Sequence, residues 1–128
     1  MDHAARIRVL IVEDHALFSQ VLRLYLEREE QLFVVDAVPT AEAAIGHPHL
    51  QDVDVVLTDI GLGVESGIAA IPRLHELNPR LRVVVMSGSG RDETADDAFA
   101  AGASAYLEKG PLEDALVTTL LEVGRAAR

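Results

Sequence analysis

The chain has 128 residues, 49% of them hydrophobic and 25% charged, and its 21 acidic against 11 basic side chains leave a formal net charge of −10. That length fits one domain able to bury roughly two-thirds of the surface its unfolded form exposes, and the absence of cysteine excludes disulfides and thiolate sites while permitting a reducing, cytoplasmic setting. The acidity speaks against direct binding of nucleic acid or an anionic lipid surface by this domain and favours cationic partners, metal ions included. The apolar stretch Ile7–Val12 is too short for the core of a secretion signal, and no run approaches a membrane span.

Apolar runs alternate with helical spacings along the chain, the pattern of βαβ units and a parallel sheet. Residues 7–12 read as the first strand, and Leu17, Val21, Leu24 and Tyr25 follow with the i, i+4, i+7, i+8 spacing of a first helix. A second strand is expected over 33–37. Thr40 then caps a short helix with Glu42 in its first turn, and His47-Pro48-His49 reads as a solvated loop whose two ligand-type side chains lack a third partner. A third strand is expected over 53–58. Ser66 caps a third helix running to about Leu77, with Pro72 expected to kink it or delay its regular start. The fourth strand covers 83–86, and Asp92 caps a helix ending before Gly102. The fifth strand covers 105–107. Leu112, Leu116, Leu120 and Val123 mark the last helix, after which come Gly124 and the final four residues. With no repeat or linker to divide it, residues 1–128 are expected to form one α/β domain with its core over 7–123. No output domain is expected within it.

Five polar residues stand at the carboxyl edges of these apolar runs: Glu13, Asp14, Asp59, Ser87 and Lys109. In open parallel sheets ligands bind just beyond those edges. Three carboxylates drawn together repel by about 4 kcal/mol per pair at an effective dielectric near 20, so an ionised cluster needs a cation. Mg²⁺ prefers oxygen ligands, keeps several waters and is held by one or two carboxylates plus phosphate, which suits Asp14 and Asp59 as direct ligands and Glu13 as an outer one. An aspartate beside such an ion can act as a nucleophile and form an aspartyl-phosphate, with Lys109 and the Ser87 hydroxyl binding phosphoryl oxygens. Singly, each residue has a plainer reading as a helix cap, a turn residue or a solvated lysine, and His15 reads most simply as a helix-start histidine. Five suitable groups at four strand ends point to a site. The Gly88 to Gly90 stretch is no P-loop, because the Gly-Lys-Ser/Thr ending is missing.

The segments VLIVEDH (residues 9–15), VVLTDIGLGVESG (55–67), VVVMSGSG (83–90) and GASAYLEKG (102–110) resemble the receiver domain of bacterial response regulators, from Ile7 to about Val123. The resemblance implies a doubly wound, flavodoxin-like sheet of order 2-1-3-4-5 with five helices. It implies that Asp59 accepts a phosphoryl group from a sensor histidine kinase, that Glu13, Asp14, Asp59 and the Gly61 carbonyl organise Mg²⁺, and that Ser87 and Lys109 read the phosphate. Tyr106 is implied as a rotameric switch on a surface formed by the fourth helix, fifth strand and fifth helix. A cytoplasmic signalling protein is implied, with no catalysis beyond its own phosphorylation and dephosphorylation. Homodimerisation through the fourth or fifth helix, or the first with the fifth, and a C-terminal helix-turn-helix output module in the full-length protein belong to the same expectation. Gly63 replaces the proline usual four residues after the acceptor, and the small uncharged Gly61 and Ser89 flank the hydrolytic water's path, which implies an intermediate phosphoryl lifetime. Two other classes fit less well. A phosphohydrolase using an aspartyl-phosphate would want a second carboxylate where Gly61 stands, and a flavodoxin-type flavin module would want a hydroxyl-rich cradle in place of Glu13-Asp14-His15.

Overall fold

A computed structural model describes residues 6–60, 64–88, 92–110 and 114–128. Strands and helices alternate: β1 (Ile7–Val12), α1 (Ala16–Glu27), β2 (Leu32–Val38), α2 (Ala41–Ile45), β3 (Val55–Asp59), α3 (Val64–Leu77), β4 (Arg82–Ser87), α4 (Asp92–Ala101), β5 (Ala105–Glu108) and α5 (Asp114–Ala126). The strands form one parallel sheet of order β2-β1-β3-β4-β5. Every residue of β3 is buried, as is all of β1 except Arg8. Such near-continuous apolar strands suit a sheet covered on both faces. One face carries Val9, Ile11, Val55, Leu57 and Val84 against Leu22 and Leu26 of α1 and Leu116 and Leu120 of α5. The other carries Leu10, Val12, Val56, Val83 and Val85 against Ala44 of α2, Ile71 and Leu74 of α3, and Ala95 and Ala98 of α4. The chain moves from β1 outward to β2 and then back across to β3, so the strand order reverses between β1 and β3, where a ligand crevice is expected.

Local chemistry sets the helix ends. The Nδ1 of His15 accepts from the Phe18 amide at 3.2 Å and opens α1, as a helix-start histidine should. Thr40 does the same for α2 through the Ala43 amide at 3.1 Å. After α4, Gly102 adopts φ +115°, and the Gly102 and Ala103 amides bond back to the Phe99 and Ala98 carbonyls at 3.0 Å. This closure needs glycine, both for its left-handed backbone and because a Cβ would press on the His75 ring.

Several expectations are corrected. Helix α3 begins at Val64, so Ser66 lies inside it, and Pro72 sits in its interior without delaying its start. Proline's fixed φ suits a helix, while its ring removes one donor and crowds the carbonyl of the preceding turn on an exposed face. Residues 53 and 54 precede β3 and follow a short 3₁₀ turn, Leu50–Asp52. Helix α5 continues through Gly124 to Ala126, and Gly124 serves close packing rather than a stop, since it lies against Ile7 of β1 and a side chain there would collide with it. In α1 the helix forms where expected but turns a different face inward: Leu22 and Leu26 are buried, while of the expected stripe Leu17, Val21 and Leu24 are exposed and Tyr25 packs half-buried against the core. His47 is no solvated loop residue. Its side chain is only 8% exposed and its Nε2 bonds Asp36 Oδ2 at 2.9 Å. Since Nδ1 accepts from the His49 amide at 3.1 Å, the proton resides on Nε2 and is donated to Asp36. That bond helps hold the Asp36 carboxyl below the usual range.

Candidate functional site

Glu13 and Asp14 follow β1 directly, Asp59 ends β3, Ser87 ends β4, and Lys109 follows β5. Parallel register brings these ends level: Val12 pairs with Thr58, Asp59 with Met86, and Ser87 with Glu108. The Lys109 amide donates to the Ser87 carbonyl at 2.7 Å and so ties the last two strands together at the rim. The expected cluster therefore assembles at the point where the strand order reverses.

One carboxylate oxygen from each of Glu13, Asp14 and Asp59 lies within 4.8 Å of the other two. Glu13, Asp59 and Ser87 are buried and Asp14 is exposed. The Glu13 backbone is held by a 2.9 Å bond from its amide to the Val38 carbonyl, and its Oε2 accepts from the His15 amide at 3.0 Å. Lys109 Nζ lies 2.6 Å from Asp59 Oδ2 and 2.9 Å from Glu13 Oε1. The second contact lies off the hydrogen-bond direction, so Oε1 is charge-paired yet receives no directed donor. Burial raises the Glu13 carboxyl above its ordinary range, and the neighbouring Asp59 adds to this against the opposing pull of Lys109 and the His15 amide. For Lys109 burial acts the other way, but the bond to Asp59 and the close charge of Glu13 outweigh it and hold the ammonium above its ordinary value.

Among the described residues, three carboxylates against one ammonium leave two negative charges in excess at this rim, which a divalent cation matches. The converging oxygens and the undirected Oε1 suit a hard cation. Beside the cluster, a 430 Å³ cleft lined by Asp14, Pro39, Thr40, Glu42, Ala70 and Arg73 opens between α2 and α3. Gly61, Gly63, Ser89, Pro111 and Leu112 lie outside the described residues.

Tyr106 is 9% exposed and packs in the core layer beneath α3 and α4. Its ring is thus already inside rather than waiting at the surface. Phe18 escapes the sequence pattern, because an aromatic in a helix with apolar residues on nearly every side reads as packing. Its ring centroid lies 4.5 Å from Lys109 Nζ, and the only hint in the sequence is its place one turn after Asp14 at the same rim.

The sequence matches the response regulator receiver domain over residues 9–121. It is 30% identical to a protein-glutamate methylesterase/protein-glutamine glutaminase of Paramagnetospirillum magneticum, over 95% of this chain and 35% of that protein. It is 28% identical to the cell cycle transcriptional regulator CtrA of Caulobacter vibrioides, over 94% of this chain and 52% of that one. The chain thus spans a third to a half of the length of these relatives. Among solved structures, a LuxR-family two-component response regulator from an Aurantimonas species superposes with a TM-score of 0.85 at 25% identity, covering 96% of this chain and 88% of that one. With the strand order, the rim cluster and a match spanning most of its length in agreement, the chain belongs to the receiver domains of two-component response regulators.

Proposed function

We propose that this domain takes a phosphoryl group onto Asp59 from the phosphohistidine of a sensor kinase, in a Mg²⁺-dependent reaction. A carboxylate oxygen of Asp59 attacks phosphorus, the P–N bond to the imidazole breaks, and an acyl phosphate forms. The observation that carries this reading is the meeting of buried Asp59 with Glu13, Asp14 and the Lys109 ammonium at one strand-end rim. Asp14 and Asp59 would hold the ion directly, Glu13 through water, and the Gly61 carbonyl joins them on family resemblance. When bound, Mg²⁺ supplies charge neutralisation for the phosphoryl oxygens. Lys109, charged and 2.6 Å from Asp59, would pair with another of those oxygens, and Ser87, at the end of β4, would bond a third. Asp59→Asn removes the nucleophile while keeping the shape.

Helix α1 leaves the rim with Leu17, Val21 and Leu24 exposed along one stripe, Leu17 at 66% and Leu24 at 63%. An exposed apolar stripe beside the site suits a partner surface, and we assign it to the kinase. Phosphorylation would then bias Tyr106 and the surface of α4, β5 and α5, favouring homodimers and controlling an output domain. A DNA-binding module beyond this segment fits the transcriptional relatives, and a cytoplasmic signalling role without a substrate of its own completes the reading. Incubation with acetyl phosphate and Mg²⁺ should add one phosphoryl group by intact mass. EDTA or Asp59→Asn should abolish it, and label that survives Asp59→Asn would overturn the assignment.

A further inference from the structure

Lys109 follows β5, the edge strand, yet its ammonium reaches across to pair with Asp59 of β3 and Glu13 of the segment after β1. A flexible four-carbon stem loses rotamer freedom to hold one such position. Two carboxylates draw the charge inward, but Asp59 is also the group that changes when phosphorylated, so that contact cannot by itself keep Nζ in place through the reaction.

A third group faces the ammonium. Nζ stands over the ring of Phe18 at 4.5 Å from its centroid, within cation–π range. Phe18 is itself well fixed. Its amide is bonded to His15 Nδ1 at the start of α1, and its half-buried side chain packs against the core layer that contains Leu22, Leu26 and Leu116. Asp59, Glu13 and the aromatic face therefore surround the ammonium, and only the ring has no part in metal binding or chemistry.

Resting on the receiver reading above, we infer that Phe18 is a positioning residue for phosphoryl transfer, acting through Lys109. Its negative ring face holds the ammonium at the mouth of the site. When the Asp59 carboxylate becomes an acyl phosphate, the bond from Nζ to Oδ2 is exchanged for one to a phosphoryl oxygen, and the ring contact is the fixed side about which Nζ turns. An aliphatic side chain of similar bulk would fill the same space without attracting the cation.

The test is a double-mutant cycle on the whole chain, with labelling by acetyl phosphate and Mg²⁺ followed by intact mass and the unfolding midpoint measured for each variant. Phe18→Leu should slow labelling by roughly two- to thirty-fold, the span of a cation–π contact, and Phe18→Tyr should keep close to the native rate. In a Lys109→Met background, Phe18→Leu should cause no further slowing. If Phe18→Leu folds poorly, Phe18→Met, whose unbranched side chain adapts better to the space, carries the same expectation. Native rates in the Leu or Met variant, a Tyr variant as slow as Leu, or an equal fold-loss with Lys109→Met would overturn the inference and leave the receiver reading intact. A folded native chain that accepts no label would overturn both.

Discussion

Asp54 shows how differently a second buried carboxylate can be treated in the same molecule. It precedes β3, at the opposite end of that strand from Asp59, and is 2% exposed. Its oxygens accept from the Arg8 amide at 2.8 Å, Arg80 Nη1 at 2.6 Å and Arg128 Nη2 at 3.0 Å. Burial works against its ionisation, but the bonds from Arg128, the Arg8 amide and Arg80 prevail and hold its carboxyl below the usual range. Asp59 shares its surroundings with two other carboxylates and one lysine, whereas Asp54 meets two guanidinium groups. The sign of the linkage follows from the lowered value. The ionised carboxylate contributes stability above its unfolded pKa of 3.8, and that contribution is lost as the pH falls through the lower folded value. Asp54→Asn should cost about 2 kcal/mol at neutral pH, the scale of a hydrogen bond to a charged group, discounted because both arginines are partly exposed. Urea unfolding at pH 7 and pH 3 would check this, since the gap between the two proteins should narrow in acid and a gap of constant size would show that the charge contributes nothing. None of this was legible beforehand. Asp54 sits in an apolar run that reads as strand, and its side-chain partners lie 26 and 74 positions away.

At the scale of elements, the sequence conveys periodicity better than orientation. The strand-end residues of the site were readable because in this fold a strand's last apolar residue marks a rim, and parallel pairing makes the rims coincide. For α1 the same method finds the helix and misses its face. Leu17, Val21 and Leu24 form one helical stripe, and Phe18, Leu22, Tyr25 and Leu26 form another, so both satisfy the 3.6-residue period. Which stripe is covered depends on β1 and β2 lying under it, a tertiary fact. Gly124 is a similar case. A glycine near the end of an apolar pattern signals a helix stop, but here it marks the closest approach of α5 to Ile7. An alanine Cβ would overlap Ile7 Cγ2, which belongs to a buried side chain with little room to yield. Gly124→Ala should therefore destabilise the protein by about 1–3 kcal/mol despite alanine's better helix propensity. At the exposed neighbour Arg125, Arg125→Ala should cost well under 1 kcal/mol. Paired denaturation curves decide this: a Gly124→Ala variant as stable as the native chain would mean that α5 can shift away from β1 freely.

At the scale of the whole molecule, the sheet has a charged rim at each end with unlike roles. Around Asp54 the carboxylate is neutralised by two guanidinium groups, and Arg128 reaches from beyond α5 to Asp54 and to the Arg6 carbonyl, fastening the end of the last helix under the sheet. Around Asp59 negative charge is in excess, and a cation and a phosphoryl group would change the balance there. Such a change becomes a signal only if it biases an element with two arrangements. Tyr106 is the candidate, because β5 carries both it and, just beyond its end, Lys109, while the Lys109 amide is tied to Ser87 at the end of β4. Since the ring begins 9% exposed in the layer beneath α3 and α4, switching would move it between packings within or at the edge of that layer rather than admit it from solvent. The chain contains no tryptophan, so Tyr106→Trp places one reporter at the switch. Beryllofluoride with Mg²⁺, as a mimic of the phosphoryl group, should change the emission of that tryptophan, whereas Mg²⁺ alone should not. The change should vanish in Tyr106→Trp combined with Asp59→Asn. Emission that stays constant while beryllofluoride binding is seen by calorimetry would separate the two events and exclude Tyr106 from the transmission of the signal.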